Sequence, residues 1–159
     1  MSRKPDLTVP LNLFVYGEGT IGKTTTLEML YQNMTGKSPK SARLIDTYKG
    51  KRFCLCTAGD SRGIIERNVA FMKKNGPFDI FISAVNAKFD SYDAAQYYFQ
   101  EIMEGYVSSK YSLWVEKLNP KVLESNYKEE KNPASQKTSI ADADRLKKII
   151  DFYIDNKLI

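Results

Sequence analysis

The chain contains the stretch Gly17-Glu18-Gly19-Thr20-Ile21-Gly22-Lys23-Thr24, which matches the phosphate-binding pattern G-x-x-x-x-G-K-S/T at every fixed position. Such a loop surrounds a polyphosphate with its own backbone N–H groups, so glycine is needed where the loop bends. The lysine brings a compact positive charge to the β- and γ-phosphates, and the threonine hydroxyl can ligate Mg²⁺. We predict that this stretch and Thr25 bind a nucleotide, with Lys23 catalytic and Thr24 a metal ligand.

The segments on either side of the loop resemble a strand and a helix. Residues 11–16 form a short apolar run of strand length, and residues 22–34 carry apolar side chains at helical spacing. Because the N-terminus of a helix attracts anions, this order of strand, glycine-rich loop and helix is the setting that phosphate binding needs. The alternative is a glycine-rich turn that binds no ligand.

Size and composition indicate one folded domain spanning 1–159. A chain of 159 residues can bury a single core without disulfides or metals. It shows no secretory segment and no apolar run long enough to cross a bilayer, so we expect a cytoplasmic protein with no membrane partner. Because the chain has no histidine, histidine acid–base chemistry and His/Cys zinc sites are excluded within it.

The two cysteines, Cys54 and Cys56, fall on one face of a predicted strand. Burial as small apolar residues is the favoured interpretation, because a metal or redox role would normally need more partners.

The net charge of +5 is concentrated in residues 1–58, which hold nine Lys/Arg and four Asp/Glu. This excess fits an anionic ligand, whereas no interleaved aromatic and basic stripe supports nucleic-acid binding.

Strand-like and helix-like segments alternate, which predicts an α/β three-layer sandwich with a mostly parallel sheet. The predicted strands are 11–16, 42–48, 51–57, 78–85 and 111–117, and the predicted helices are 22–34, 62–74, 92–104 and 139–158. Residues 1–9 are predicted to be a polar arm, and 119–138 a long, mobile loop.

Local turn and cap signals refine this layout. Lys49-Gly50 predicts a tight antiparallel hairpin in which Gly50 has a positive φ. Asp60 or Ser61 can cap the second helix, and Ser139 can cap the last.

A second segment, Thr57-Ala58-Gly59-Asp60, also follows a predicted strand. In a parallel sheet the ligand lies beyond the carboxyl ends of the strands, so this segment is expected beside the phosphate loop. Asp60 is the best candidate for a catalytic carboxylate that also binds Mg²⁺, although it could be a plain helix cap. Asp46 is a weaker candidate.

With these two segments, residues 11–118 resemble the Ras-like small GTPases of the P-loop NTPase superfamily, whose Walker A motif is the phosphate loop. That family carries Asp-Thr-Ala-Gly-Gln in the second segment, and the resemblance implies that Gly59 senses the γ-phosphate. Cys56 replaces the family's Mg²⁺-linked Asp, and Asp60 replaces its Gln. The guanine-binding Asn-Lys-x-Asp motif is absent, so ATP and GTP both remain candidate ligands.

Three functions follow from these features. The first is a Mg²⁺-dependent NTP hydrolase or nucleotide-controlled switch, in which 36–50 or 58–68 changes order with the γ-phosphate. The second is a degenerate P-loop module that binds nucleotide without turnover, which the missing carboxylate at Cys56 supports. The third is a small-molecule or nucleotide kinase with 119–138 as its lid.

Further side chains could take part in function. Arg62 or Arg67 could reach a γ-phosphate, the alternative being a solvent-facing helix arginine. Three consecutive aromatic residues, Tyr97, Tyr98 and Phe99, cannot all face one core, so we expect one of them to contact a protein partner or another segment of the chain.

Overall fold

A computed structural model describes residues 7–17, 22–59, 61–86, 107–108, 110–117 and 133–159. Its strands are β1 Leu7–Thr8, β2 Leu11–Gly17, β3 Arg43–Tyr48, β4 Lys51–Cys56, β5 Ile80–Asn86, β6 Val107–Ser108 and β7 Tyr111–Glu116. Its helices are α1 Lys23–Thr35, α2 Arg62–Asn75 and α3 Pro133–Asp155. No helix within these residues has the length and apolar character needed to cross a membrane.

The described part of the chain forms a mostly parallel five-stranded sheet in the order β3-β4-β5-β2-β7. Strand β2 lies between β5 and β7 and is parallel to both, with Leu11 opposite Ile80 on one side and Tyr111 on the other. Strand β4 is parallel to β5 on one side and pairs antiparallel with β3 on the other. The predicted α/β fold with a mostly parallel sheet is therefore confirmed.

The antiparallel pair β3–β4 is joined by a two-residue turn at Lys49 and Gly50. Both residues have positive φ, of 49° and 79°. This geometry matches the right-handed twist of the two strands, and glycine adopts it without a steric penalty. The predicted hairpin and the positive φ of Gly50 are both confirmed.

Alternation along the strands separates the core into two layers. Leu11, Leu13 and Val15 of β2 pack with side chains of α1 and α3. Phe14, which points to the opposite face, packs with side chains of α2 and with Cys54 and Cys56. Both cysteines are buried free thiols, as predicted.

The largest difference from prediction concerns the last helix. Helix α3 begins at Pro133 and ends at Asp155, whereas residues 139–158 were expected to be helical and 133–138 to belong to a loop. Proline is well tolerated in the first turn of a helix, since its missing N–H would have no intrahelical partner there. Ser139 is consequently buried inside α3 instead of capping it.

Residues 1–9 were predicted to be a polar arm, and this prediction is wrong for Leu7–Thr8. These two residues form β1, which pairs in parallel with Val107–Ser108 of β6. Val9, which follows β1, is fully buried. A two-residue strand has no periodicity that a sequence pattern could detect. Strand β6 was not predicted either. Strands β2, β3, β4, β5 and β7 and helices α1 and α2 agree with prediction to within two residues at each end. Residues 1–6, the predicted helix 92–104 with its three aromatics, and residues 119–132 lie outside the described residues.

Candidate functional site

The phosphate loop joins the end of β2 at Gly17 to the start of α1 at Lys23. Gly22 precedes the helix with a φ of 97° and a ψ of 22°, a left-handed conformation that favours glycine. The first backbone bond of α1 runs from the Thr26 N–H to the Gly22 carbonyl, at 2.9 Å. Within the described residues no side chain caps this helix and its first turn holds no acidic residue. The N–H groups of its first turn therefore lie at an uncapped, electropositive end.

Lys23 is 5% exposed, and its ammonium reaches back across the loop. Its Nζ donates a hydrogen bond to the carbonyl oxygen of Gly17 at 2.9 Å. Burying an ammonium is costly unless it is hydrogen-bonded, and this carbonyl supplies such a bond. The positive charge thus lies between the two ends of the loop. Residues Glu18, Gly19, Thr20 and Ile21 lie outside the described residues, so their nucleotide contacts remain predictions.

Thr24 connects the loop to the second segment of interest. Its side chain is exposed, and its Oγ1 donates to the Thr57 carbonyl oxygen at 2.9 Å. Strand β5 separates β2 from β4 in the sheet, so the contact is made from the first turn of α1 and not by neighbouring strands. Since the hydroxyl proton is directed at Thr57, the oxygen lone pairs remain able to ligate a cation. Thr25, the next residue, is also exposed.

The segment 57–59 is held firmly against the sheet. The Ala58 carbonyl accepts a hydrogen bond from Asn68 Nδ2 at 2.8 Å, and Asn68 Oδ1 accepts one from Arg43 Nε at 2.9 Å. A Cβ atom added to Gly59 would lie 1.8 Å from the carbonyl oxygen of Ala84 in β5. This close backbone approach is itself a reason for glycine, and the predicted γ-phosphate contact of Gly59 is a separate matter that remains a prediction.

Of the two carboxylates predicted as Mg²⁺ ligands, the structure describes Asp46 but not Asp60. Asp60 lies outside the described residues, and its neighbour Ser61 caps α2 by accepting from the Ile64 N–H at 3.3 Å. Asp46 accepts from Tyr31 Oη at 3.1 Å and from Lys37 Nζ at 3.0 Å, both near the far end of α1. Tyr31 lies eight positions after Lys23 in the helix, about 12 Å along the axis. Asp46 is therefore not placed to bind a cation at the loop.

Cys56, at the position of the Mg²⁺-linked carboxylate in the Ras-like pattern, is fully buried. Its hydrogen bond with Cys54 and its burial raise the pKa of this thiol well above its ordinary value. A neutral sulfur is a poor ligand for Mg²⁺, which prefers oxygen. Within the described residues no group of three or more His, Cys, Asp or Glu side chains could hold a metal.

A buried ion pair beside the loop was not predicted from the sequence. Lys117 follows β7, and its Nζ lies 3.0 Å from Asp142 Oδ2 and 3.0 Å from Thr138 Oγ1. Burial lowers the pKa of Lys117, although the hydrogen bond and charge of Asp142 oppose that shift. Asp142 also pairs with Arg145 at 2.8 Å. The available signal was that Asp142 precedes Leu146 by four residues, which puts a carboxylate on the apolar face of α3.

This ion pair connects α3 to the loop. The Lys117 N–H donates to the Tyr16 carbonyl in β2 at 2.8 Å, one residue before the loop begins. On the other side of the pair, Ser139 Oγ lies 3.4 Å from the Gly22 carbonyl oxygen, at the long end of hydrogen bonding. Both ends of the phosphate loop are thus supported by buried polar groups of neighbouring elements.

The arginines considered for γ-phosphate contact lie on the exposed side of α2. Arg62 is paired with Glu66 at 3.3 Å, one helical turn away, and its side chain is 65% exposed. Arg67 is exposed as well. This placement agrees with the solvent-facing alternative.

No protein-family model, curated protein or solved structure matches this chain.

Proposed function

We propose that this protein has a P-loop NTPase fold, binds a nucleoside triphosphate with Mg²⁺ and either hydrolyses it or uses it as a switch. The observation that carries the proposal is the position of Lys23 in a loop with the full phosphate-binding pattern. Its buried ammonium donates a hydrogen bond to the Gly17 carbonyl oxygen, and an incoming phosphate oxygen can replace that carbonyl as the acceptor. The uncapped N-terminus of α1 adds backbone N–H donors and a favourable dipole.

Thr24 supplies the link to the metal in this proposal. The Thr57 carbonyl fixes the orientation of its hydroxyl and leaves the oxygen lone pairs for Mg²⁺. Mg²⁺ keeps several waters in such sites and takes phosphate oxygens together with one or two carboxylates. Asp60 is the proposed carboxylate, and ATP and GTP remain equal candidates for the nucleotide.

A switching role would use the contacts of segment 57–59. Thr24 touches Thr57, and Asn68 connects Ala58 to Arg43 in the hairpin strand β3. A change at the γ-phosphate that moved this segment would therefore alter contacts with α2 and β3 together. Such coupling is the kind of local event from which nucleotide switches are built.

Nucleotide binding without turnover is the second candidate, and one observation favours it. Cys56 is buried and uncharged where the Ras-like pattern has a carboxylate, so the metal has one fewer anchoring charge than in that pattern. A protein of this kind would act through a partner surface and not through product formation.

The test is calorimetric titration of the native chain with ATP and with GTP, with and without Mg²⁺, while phosphate release is followed in the same samples. Lys23→Ala is expected to abolish binding, and Lys74→Ala, which removes an exposed lysine in the last turn of α2, is the matched control. Release of phosphate supports the hydrolase, binding alone supports the second candidate, and transfer only to an added acceptor indicates the kinase. Absence of binding to the native chain at millimolar nucleotide would overturn the proposal.

A further inference from the structure

The contact between α3 and the core changes character along the helix. Beyond Asp142 it is apolar, since Ala143, Leu146 and Ile150 are fully buried and pack in the same layer as β2 and α1. Nearer the phosphate loop the buried side chains are polar. They are Lys23 and Thr26 of α1, Lys117 after β7, and Thr138, Ser139 and Asp142 of α3. Burying polar groups costs free energy unless they are paired, so a cluster of them at one end of the contact calls for an explanation.

Asp142 lies at the centre of this polar end. Its carboxylate is 2% exposed and lies 3.0 Å from Nζ of Lys117, whose side chain is fully buried. The other carboxylate oxygen accepts from Arg145 at 2.8 Å, and the same Arg145 nitrogen donates to the Glu116 carbonyl at 2.7 Å. One carboxylate therefore joins α3 to both residues at the carboxyl end of β7.

The energetics of a buried ion pair favour a role in positioning over a role in stability. Removing two charges from water can cost as much as their attraction returns, and two apolar side chains of similar volume hold elements together as well or better. Apolar contact has no preferred direction, whereas an N–H···O bond is favourable only over a narrow range of distances and angles. The bond from Lys117 to Asp142 therefore fixes the first half of α3 more closely than apolar packing would.

Both ends of the phosphate loop contact the residues that this pair fixes. The Lys117 N–H donates to the Tyr16 carbonyl at 2.8 Å, directly before the loop begins. Ser139 lies three residues before Asp142, on the same side of α3, and its Oγ donates to the Gly22 carbonyl at 3.4 Å, where the loop ends. A displacement of the first half of α3 from β7 would therefore move one end of the loop relative to the other.

We propose that Asp142 is a positioning residue for the phosphate loop. Through Lys117 and Ser139 it keeps the two ends of the loop at the spacing that a polyphosphate needs, without touching the ligand itself. The loop is then ordered before the ligand arrives, so less ordering entropy is lost on binding. The nucleotide part of this inference rests on the proposed function, whereas the ordering of the loop does not.

The test replaces both members of the ion pair by apolar side chains, in the double variant Lys117→Met with Asp142→Val. No charge of the pair is left buried alone, so the free energy of unfolding in urea should stay near that of the native chain. Backbone ¹⁵N order parameters, measured without nucleotide, should be about 0.85 at Gly17 and Gly22 of the native chain and fall below about 0.6 in the double variant. The second half of α3, residues 146–155, should keep its native values.

Asp144→Asn is the matched control, because Asp144 is a 59% exposed carboxylate of the same helix that pairs with Lys148. It should change neither the stability nor the loop. If the double variant does not fold, Ser139→Ala takes its place, since it keeps the ion pair and should lower the order parameter of Gly22 alone. Native order parameters of the loop in the variant measured would overturn the proposal, because the pair would then serve only to anchor α3.

Nucleotide affinity is the second measurement. In calorimetry with Mg²⁺ the double variant should bind about tenfold or more weakly than the native chain, at nearly unchanged stability. A double variant that binds as tightly as the native chain would overturn the positioning role and leave the proposed function intact. A native chain that binds neither ATP nor GTP would overturn the proposed function, and the order parameters alone would then decide the role of Asp142.

Discussion

The hydroxyl of Thr24 is a single group that serves two neighbours in the proposed site. Its proton is taken by the Thr57 carbonyl at 2.9 Å, and its oxygen is the proposed Mg²⁺ ligand. Thr24→Ala removes both interactions, whereas Thr24→Ser keeps a hydroxyl at the same position. We expect the alanine variant to bind nucleotide about tenfold or more weakly in Mg²⁺, from the loss of one charge-assisted contact.

The measurement is calorimetric titration of the native chain and both variants, with Mg²⁺ and with a chelator. In the chelator all three proteins should bind alike, because the phosphate contacts of Lys23 and the helix N-terminus do not use the hydroxyl. If the serine variant were as weak as the alanine variant in Mg²⁺, the proposed role of the hydroxyl would be wrong.

Two glycines provide a paired test of local packing. At Gly59 a Cβ would lie 1.8 Å from the Ala84 carbonyl oxygen, so the backbone of β4 or β5 must shift to admit alanine. At Gly63, in α2, the nearest atom to a new Cβ is Arg67 Nη2 at 3.8 Å. Gly59→Ala should lower the free energy of unfolding by about 1–3 kcal/mol, whereas Gly63→Ala should raise it by about 0.5–1 kcal/mol. Urea unfolding of both variants checks this, and equal effects of the two would contradict the described approach of Gly59 to β5.

Among the elements, the β3–β4 hairpin is fastened to α3 by two carboxylates, Asp151 and Asp155, and the Asp155 carboxylate lies 3.1 Å from Lys49 Nζ. Asp151 accepts a hydrogen bond from Tyr48 Oη, and Lys49 Nζ lies 3.0 Å from it. Partial burial raises the pKa of Asp151, but the hydrogen bonds from Tyr48 and Lys49 and the charge of Lys147 outweigh burial, so its pKa lies below the ordinary 3.8. A carboxyl whose pKa is depressed by folding stabilises the protein above pH 3.8, and this contribution is lost as the pH falls towards the folded-state pKa.

Asp151→Asn should therefore be less stable than the native chain near neutral pH, by about 1 kcal/mol for the lost hydrogen bond to a charged group. The gap should narrow as the pH falls from about 5 towards 3, since the native carboxylate is then protonated. Urea unfolding of both proteins over this pH range measures the gap, and Tyr48→Phe should give an intermediate one. A gap that does not change with pH would mean that the carboxylate charge contributes nothing to fastening the hairpin.

The elements that the sequence predicted correctly are those whose signals are local. The Lys49-Gly50 turn, the Ser61 cap and the sequence of β2, loop and α1 each depend on residues within about one turn or strand of one another. The start of α3 was missed because residues 133–138 contain few apolar side chains and begin with proline, and β1 was missed because two residues carry no pattern. Strand order is also not local, so the position of β5 between β2 and β4 could not be obtained from the chain alone.

The candidate site likewise contains residues that a local pattern predicts and a contact between distant residues that it does not. The phosphate pattern identified Gly22, Lys23 and Thr24, because its chemistry requires these residue types in consecutive positions. The Lys117–Asp142 pair joins residues that are distant in sequence, and nothing in either neighbourhood indicates the other. Their contact is created by the packing of α3 beside β7, which depends on the whole core. Long-range polar pairs of this kind are the part of a site that a single sequence leaves undetermined.

At the scale of the whole molecule, the loop follows β2, which is flanked by strands on both sides and packs on α1 and α3. A ligand held there by the folded state alone should stabilise the entire domain, by about 2.7 kcal/mol at a concentration of 100 times its dissociation constant. For a domain of this size, that corresponds to a rise in Tm of about 5–10 °C. Scanning calorimetry with and without Mg²⁺–ATP or Mg²⁺–GTP should show the rise for whichever nucleotide binds.

Lys23→Ala provides the decisive comparison for this rise in Tm. Without nucleotide the variant should unfold at a Tm close to that of the native chain, because the hydrogen bond from the buried ammonium to the Gly17 carbonyl offsets the cost of burying the charge, and the substitution removes both terms. With nucleotide its Tm should not move, since the charge that holds the phosphates is gone. An equal rise in the native chain and the variant would place nucleotide binding elsewhere on the molecule. A native Tm that is insensitive to both nucleotides would mean that the loop, despite its sequence and its geometry, does not bind them in the isolated chain.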